Sequence, residues 1–279
     1  MYLNVDRQRV YAYTANHGVE PARPSVLFLH GAANDHSVWA LQSRYFAYHG
    51  WNALAVDLPG HGRSGGDPRS RIEELADWTI GVLDSAGLRQ AALVGHSMGS
   101  LIALEAAAAQ PSRVARMALI GIAVPMAVSE PLLAASRAND HAAYEMINVY
   151  AHSGSAQIGG NRAPGLWMLG NNMRLMERSA PGVLHADFLA CNNYTGGLEA
   201  AARVTCPTLL LLGGRDQMTP LKAAKDVAAK LQDAKTVALD GTGHALMAEK
   251  PDEVLDALIG FMTNKASRQD TRGSGRIQS

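Results

Sequence analysis

Short apolar runs recur along the chain, and most of them end in glycine or a small polar turn. Val26–Leu29 runs into His30-Gly31, Ala53–Val56 into Asp57-Leu58-Pro59-Gly60, and Ala91–Val94 into Gly95. Met117–Ile122, Leu209–Leu212 and Thr236–Leu239 continue the series. Runs this short, apolar on both alternating sets of positions, predict strands of a parallel sheet covered on both faces. Helical patterns separate them at Ser37–Tyr48, Ile72–Ala86, Met98–Ala109, Leu221–Leu231 and Asp252–Met262. Pro111 follows the third pattern and Pro251 precedes the last, where helix punctuation places proline. Tyr2–Tyr13 alternates polar and apolar residues around polar turns, which predicts an antiparallel edge hairpin. Strand and helix in alternation define an α/β fold with a mostly parallel sheet.

The rhythm stops once. From Pro125 to Thr205 there are helical patterns and Gly or Pro breaks but no clear strand, and Met126, Met146, Met168, Met173 and Met176 fall in this stretch. It is expected to be a helical insertion after one strand of the sheet. The chain then divides into 1–124 (first part of the core), 125–205 (insertion), 206–263 (second part of the core) and 264–279. That last segment is polar, rich in Gly, Ser and Arg and aperiodic, the pattern of a flexible tail.

Charge and cysteine content narrow the function classes. Lys+Arg and Asp+Glu number 25 each, so the 279-residue chain is formally neutral and lacks the basic footprint of a nucleic-acid binder. Two cysteines, Cys191 and Cys206, build neither a disulfide framework nor a cysteine-rich zinc site. The N-terminus has no signal-peptide core, and Met117–Val128 is too short to span a bilayer. A cytoplasmic protein without membrane or nucleic-acid partners is expected.

The strongest chemical signal is Gly95-His96-Ser97-Met98-Gly99, placed directly after a strand and before an alanine-rich helix. G-x-S-x-G in that frame is a nucleophile elbow: a sharp turn that demands small neighbours and raises the serine hydroxyl above the sheet edge. A serine needs a base. His244, in Asp240-Gly241-Thr242-Gly243-His244, follows the last strand and is the expected one. Asp216, in Gly213-Gly214-Arg215-Asp216 after the preceding strand, is the expected acid that orients the imidazole. Asp240, nearer in sequence, and Glu130, after an earlier strand, are its competitors. Acyl transfer also needs donors for the developing oxyanion. The backbone N–H groups of Met98 and Ala32 are the candidates, the latter in the loop His30-Gly31-Ala32-Ala33-Asn34-Asp35.

Other signals carry less. Gly60-His61-Gly62-Arg63-Ser64-Gly65 matches G-x-G-x-x-G, but Gly66-Asp67-Pro68 continues the loop where a dinucleotide site needs a helix. No H-x-H or H-E-x-x-H spacing marks a metal site, and no cofactor is expected. His30 is expected to be a loop residue bonded to backbone. Cys206 suits packing. The methionines are core filler or the lining of an acyl pocket. Arg137, Arg162, Arg174 and Arg178 are expected on a solvated surface, with one of them as an alternative clamp for a substrate carboxylate.

These segments, with Asp57-Leu58-Pro59-Gly60-His61-Gly62-Arg63-Ser64, resemble the α/β-hydrolase superfamily over about residues 20 to 263, the insertion aside. The resemblance implies an eight-stranded, mostly parallel sheet flanked by helices, with a helical cap inserted after strand six. It also implies that the Asp57–Ser64 segment is a structural turn without chemistry. Serine at the elbow separates the chain from branches that carry aspartate there (haloalkane dehalogenases and epoxide hydrolases) and from dienelactone-hydrolase-like enzymes, which carry cysteine. The loop after His30 departs from the glycine- and proline-rich loops of proline iminopeptidases and C–C hydrolases. The expected activity is hydrolysis of a small or medium carboxylic ester through an acyl-enzyme on Ser97, His244 and Asp216. C–C, amide, lactone or thioester cleavage, or cofactor-free perhydrolysis, would use the same triad. A non-catalytic ligand-binding relative is the alternative of another class.

Overall fold

The computed structural model describes residues 1–160 and 166–263. Arg162 and the polar segment 264–279 lie outside the described residues. The hairpin forms as β1 (Tyr2–Val5) and β2 (Gln8–Tyr13), antiparallel to each other, and β2 runs antiparallel to β4 (Asn52–Val56). The remaining strands are parallel: β3 (Ser25–Leu29), β5 (Ala91–His96), β6 (Val114–Ile120), β7 (Thr208–Gly213) and β8 (Ala234–Leu239). The sheet has eight strands in the order β1-β2-β4-β3-β5-β6-β7-β8.

The alternation within each strand separates two cores. Leu27, Leu29, Leu93, Met117, Leu119, Leu210 and Leu212 face one side, and Val26, Phe28, Val94, Ala118, Ile120, Leu209 and Leu211 face the other. The first side is covered by α2 (Ile72–Ser85) and α3 (Met98–Ala109). The second is covered by α1 (Ala40–Tyr48) and the helix Pro251–Thr263. α3 is buried along most of its length because small alanines let it lie close to the sheet. Between β6 and β7 the described residues form six helices: α4 (Glu130–Arg137), α5 (Ala142–Ala151), α6 (Gly154–Gln157), α7 (Met168–Met176), α8 (Val183–Asn193) and α9 (Gly197–Arg203). A third apolar cluster, with Leu132, Ile147, Met176 and Phe188, holds four of these helices together.

Element ends shift by small amounts. The run expected to reach Ile122 leaves the sheet at Ile120, because Gly121 turns into the left-handed region at φ +61°. Pro251 is the first residue of its helix, where its missing N–H costs nothing. The helices expected from Ser37 and Leu221 each begin with a 3-10 turn, His36–Trp39 and Leu221–Ala224, before α1 and α10 (Lys225–Lys230).

Candidate active site

Parallel register brings the functional loops to one edge of the sheet. Leu29 lies opposite Gly95, His96 opposite Ile120, and Ile120 opposite Leu211. The loops that follow these strands carry Ala32, Ser97, Gly121 and Asp216, and the loop after β8 brings His244 to the same edge.

Ser97 joins β5 to α3 with φ +53° and ψ −120°, a conformation that non-glycine residues adopt only when packing enforces it. The enforcement is visible on both sides. A Cβ at Gly95 would lie 2.0 Å from the Gly99 carbonyl oxygen, and one at Gly99 would lie 2.3 Å from that of Leu29. Ser97 is also anchored by its own backbone, whose N–H donates to the Ile120 carbonyl at 2.9 Å. Its hydroxyl is left half-exposed at the N-terminus of a 12-residue helix, where the helix dipole favours negative charge.

His244 and Asp216 meet at 2.7 Å between Nδ1 and Oδ2. The same carboxylate oxygen accepts from Thr219 Oγ1 at 2.7 Å, and Oδ1 accepts from the N–H groups of Met218 and Thr219, each at 2.8 Å. Burial pushes the Asp216 carboxyl up, but the His244 charge and these hydrogen bonds outweigh it and hold it below the usual carboxylate range. Asp240 and Glu130, the competing carboxylates, are not bonded to His244. Gly121 makes room for the imidazole, since a Cβ there would lie 3.0 Å from His244 Cε1. His96 packs against the other side, with ring centroids 4.7 Å apart, and donates from Nε2 to the His244 carbonyl at 2.9 Å. Burial, reinforced by the neighbouring His244, lowers His96 to about 3, so it stays neutral.

Ser97 and His244 line one cavity of about 860 Å³, together with Ala32, Met126, Met168 and Met218. Among the described residues no hydrogen bond is made by Ser97 Oγ or by His244 Nε2, and none of them accepts from the N–H groups of Ala32 and Met98. Catalytic hydrogen bonds are often long without substrate and tighten on binding. Arg174 and Arg178 also reach the cavity wall. Arg174 is paired with Glu177 at 2.6 Å, and Arg178 with Asp35. Arg137 is exposed. Cys191 lines the cavity as well, and burial pushes its thiol pKa up, so it is a packing group rather than a thiolate.

Two features escaped the sequence reading. Thr219 was missed although Asp216-Gln217-Met218-Thr219 is a familiar Asx-type turn. Asp187 on α8 and His61 on the loop after β4 form a buried pair, Oδ2 to Nε2 at 2.9 Å, and the same Oδ2 accepts from Ala33 N–H at 2.9 Å. The signal for Asp187 was a lone carboxylate on the buried face of α8, among Val183, Leu184, Phe188 and Cys191. His30 does bond to backbone, through Nδ1 to the Gly31 carbonyl at 2.8 Å, and accepts from Leu58 N–H at 3.1 Å. The glycine loop at 60–65 is followed by no helix until Ile72, so it has no dinucleotide-binding frame.

Sheet order, elbow and edge loops define a hydrolase scaffold. The chain matches the model of the alpha/beta hydrolase family over residues 26–257 and belongs to that family. It is 30% identical to a pimeloyl-[acyl-carrier protein] methyl ester esterase of Aromatoleum aromaticum, covering 83% of this chain and 95% of the relative. It is 27% identical to an epoxide hydrolase of Caballeronia sordidicola, covering 86% and 88%. An enol-lactonase structure from Burkholderia xenovorans LB400 superposes with a TM-score of 0.83 at 21% identity, covering 95% of this chain and all of the other. Among the described residues no helix is long and apolar enough to cross a membrane.

Proposed function

We propose that this hydrolase cleaves a small or medium, uncharged carboxylic ester through an acyl-enzyme on Ser97. The observation that carries the reading is the shared cavity. Ser97 faces it from a strained elbow, and His244 presents Nε2 to it while Asp216 holds Nδ1. In this mechanism Ser97 Oγ attacks the ester carbonyl as its proton passes to His244 Nε2. The oxyanion is taken up by the N–H groups of Met98 and Ala32. His244, charged and steadied by Asp216, then protonates the departing alcohol as the ester C–O bond breaks. Water, deprotonated by His244, attacks the acyl-enzyme and returns the proton to Ser97 as the acid leaves. The segment 125–205 acts as the cap that shapes the acyl pocket.

The methyl ester esterase at 30% identity supports the ester reading. The epoxide hydrolase relative does not displace it, because position 97 carries serine where that branch is expected to carry aspartate. The two cavity arginines among the described residues, Arg174 and Arg178, are paired with carboxylates, which favours an uncharged acyl group over the carboxylate clamp. The test is turnover of p-nitrophenyl esters from acetate to decanoate by wild type and Ser97→Ala. Serine-dependent turnover with a chain-length optimum is expected. Turnover that survives Ser97→Ala would overturn the mechanism. Absence of turnover on every ester, with Ser97 still reactive toward a fluorophosphonate, would move the substrate to a C–C, amide, lactone or thioester bond.

A further inference from the structure

The loop after β3 can be followed one peptide plane at a time. The Gly31–Ala32 peptide gives its carbonyl to His30 Nδ1–H at 2.8 Å and to Asn34 N–H at 3.3 Å. In a trans peptide the N–H points the opposite way, so the Ala32 donor is directed by what holds the Gly31 carbonyl. The next peptide donates Ala33 N–H to Asp187 Oδ2 at 2.9 Å. The third accepts from Ser179 Oγ at the Ala33 carbonyl, at 3.3 Å. Ala33 sits at φ +52°, a conformation its surroundings must impose. Asp187 and Ser179 both belong to the helical segment between β6 and β7, so that segment, not the sheet, holds two of the three planes.

Asp187 is itself held by His61. His61 Nδ1 meets the Pro59 carbonyl at 2.9 Å, and Nε2 meets Asp187 Oδ2 at 2.9 Å. With Asp187 ionised, carbonyl and carboxylate oxygens both accept, and the two contacts are then satisfied by hydrogens on both ring nitrogens. His61 and Asp187 are 3% and 1% exposed. A buried pair of this kind adds little net stability over apolar residues of similar size, but it fixes position. Burial pushes the His61 pKa down, and the Asp187 charge and hydrogen bond, then the Pro59 carbonyl, more than reverse this and raise it. The other titratable groups around the pair are His30 after β3, Asp57 after β4 and Cys191 on α8. Burial and the His61 charge lower His30 to about 4. Burial pushes Asp57 up, but bonds from His36 and Arg63 outweigh it and keep Asp57 low. Burial keeps the Cys191 thiol protonated.

We infer that Asp187, charge-paired with His61, is a positioning residue for the loop that carries the oxyanion donor: it anchors the Ala33 N–H, one peptide beyond the Ala32 N–H whose own plane His30 and Asn34 hold. This rests on the serine-hydrolase reading above. Docking of the helical segment then completes the anchoring of that loop. Loss of a His61 proton removes the charge that balances Asp187 and leaves the Nδ1 lone pair facing the Pro59 carbonyl, so the ring and the loop it steadies loosen.

The test follows phosphonylation of Ser97 by a fluorophosphonate. In that reaction a Ser97 Oγ–P bond forms, fluoride leaves and the hydroxyl proton passes to His244. p-Nitrophenyl butyrate turnover is measured alongside. In Asp187→Ala the maximal labelling rate and kcat fall about 100-fold, while reagent affinity and KM stay within about threefold. Asp187→Asn keeps an acceptor for Ala33 N–H and regains about 10-fold. Wild type slows as pH rises through the raised His61 pKa, whereas His61→Gln is slow and loses that alkaline limb. Should Asp187→Ala not fold, the other two variants carry the same test. Folded Asp187 variants at wild-type rate, or an alkaline limb unchanged in His61→Gln, would overturn the positioning role alone. Failure of wild-type Ser97 to label, with turnover intact in Ser97→Ala, would instead overturn the reading on which it rests.

Discussion

Asp216 and His244 meet at 2.7 Å, Asp187 and His61 at 2.9 Å, and all four side chains are buried. The pairs differ at the second ring nitrogen. His244 Nε2 has no protein partner among the described residues and faces the cavity with Ser97. His61 has both nitrogens engaged, one by Asp187 and the other by the Pro59 carbonyl. An imidazole exchanges a proton with substrate only through a nitrogen the protein leaves open. In the proposed mechanism the first pair moves a proton and the second keeps one. A carboxylate beside a histidine does not by itself mark a base. What the other nitrogen touches decides its role.

The largest expected effects remove the first pair or the serine beside it. Ser97→Ala and His244→Gln should each lower kcat by about a millionfold, to the residual rate that binding and oxyanion donors supply. Active-site titration with the fluorophosphonate excludes contaminating wild type. Asp216→Asn should cost about 10⁴ in kcat with little change in fold, because the amide no longer holds the productive tautomer. Its circular dichroism should match wild type.

The two pairs should also respond to pH in opposite directions. The folded-state pKa of Asp216 is depressed, so its contribution to stability is present above the unfolded value near 4 and is lost as pH falls through the folded value. That of His61 is raised, so its contribution is full below about 6.5 and is lost as pH rises through the folded value. Urea denaturation across pH should therefore show the Asp216→Asn deficit shrinking in acid and the His61→Gln deficit shrinking in base. Equal deficits at all pH values would erase the distinction.

The smallest effect sharpens the comparison. Thr219→Val removes one of four hydrogen bonds on Asp216 and should lower kcat by about 5- to 10-fold, or ~1 kcal/mol. The elbow offers a control outside both pairs. Gly99→Ala should destabilise the protein by at least about 3 kcal/mol, because its Cβ would lie 2.3 Å from the Leu29 carbonyl oxygen.

Much of the scaffold is legible in the sequence. The apolar runs became β3 to β8, and the alternating N-terminus became the antiparallel pair β1 and β2. G-x-S-x-G was legible because part of its constraint is local: Gly95 meets the Gly99 carbonyl within one turn, although Gly99 meets the Leu29 carbonyl of a distant strand. Asp216 and His244 were legible as candidates because each follows a strand at the same edge, but their contact crosses 28 residues and depends on the register of β7 with β8. The Asp57–Ser64 turn was expected to be structural, and nothing in its own spacing announced that His61 pairs with a carboxylate 126 residues later.

By itself, then, the sequence determined the strand and helix rhythm, the elbow and the edge at which the site forms. Those features follow from side-chain period and from steric demands between near neighbours. Tertiary structure alone decided that Asp187 joins His61 to Ala33, across 126 and 154 residues, and that one buried histidine keeps a nitrogen open while the other does not. Such choices depend on how a helical segment docks over a sheet edge, and no local pattern of hydrophobic and polar residues encodes that distance.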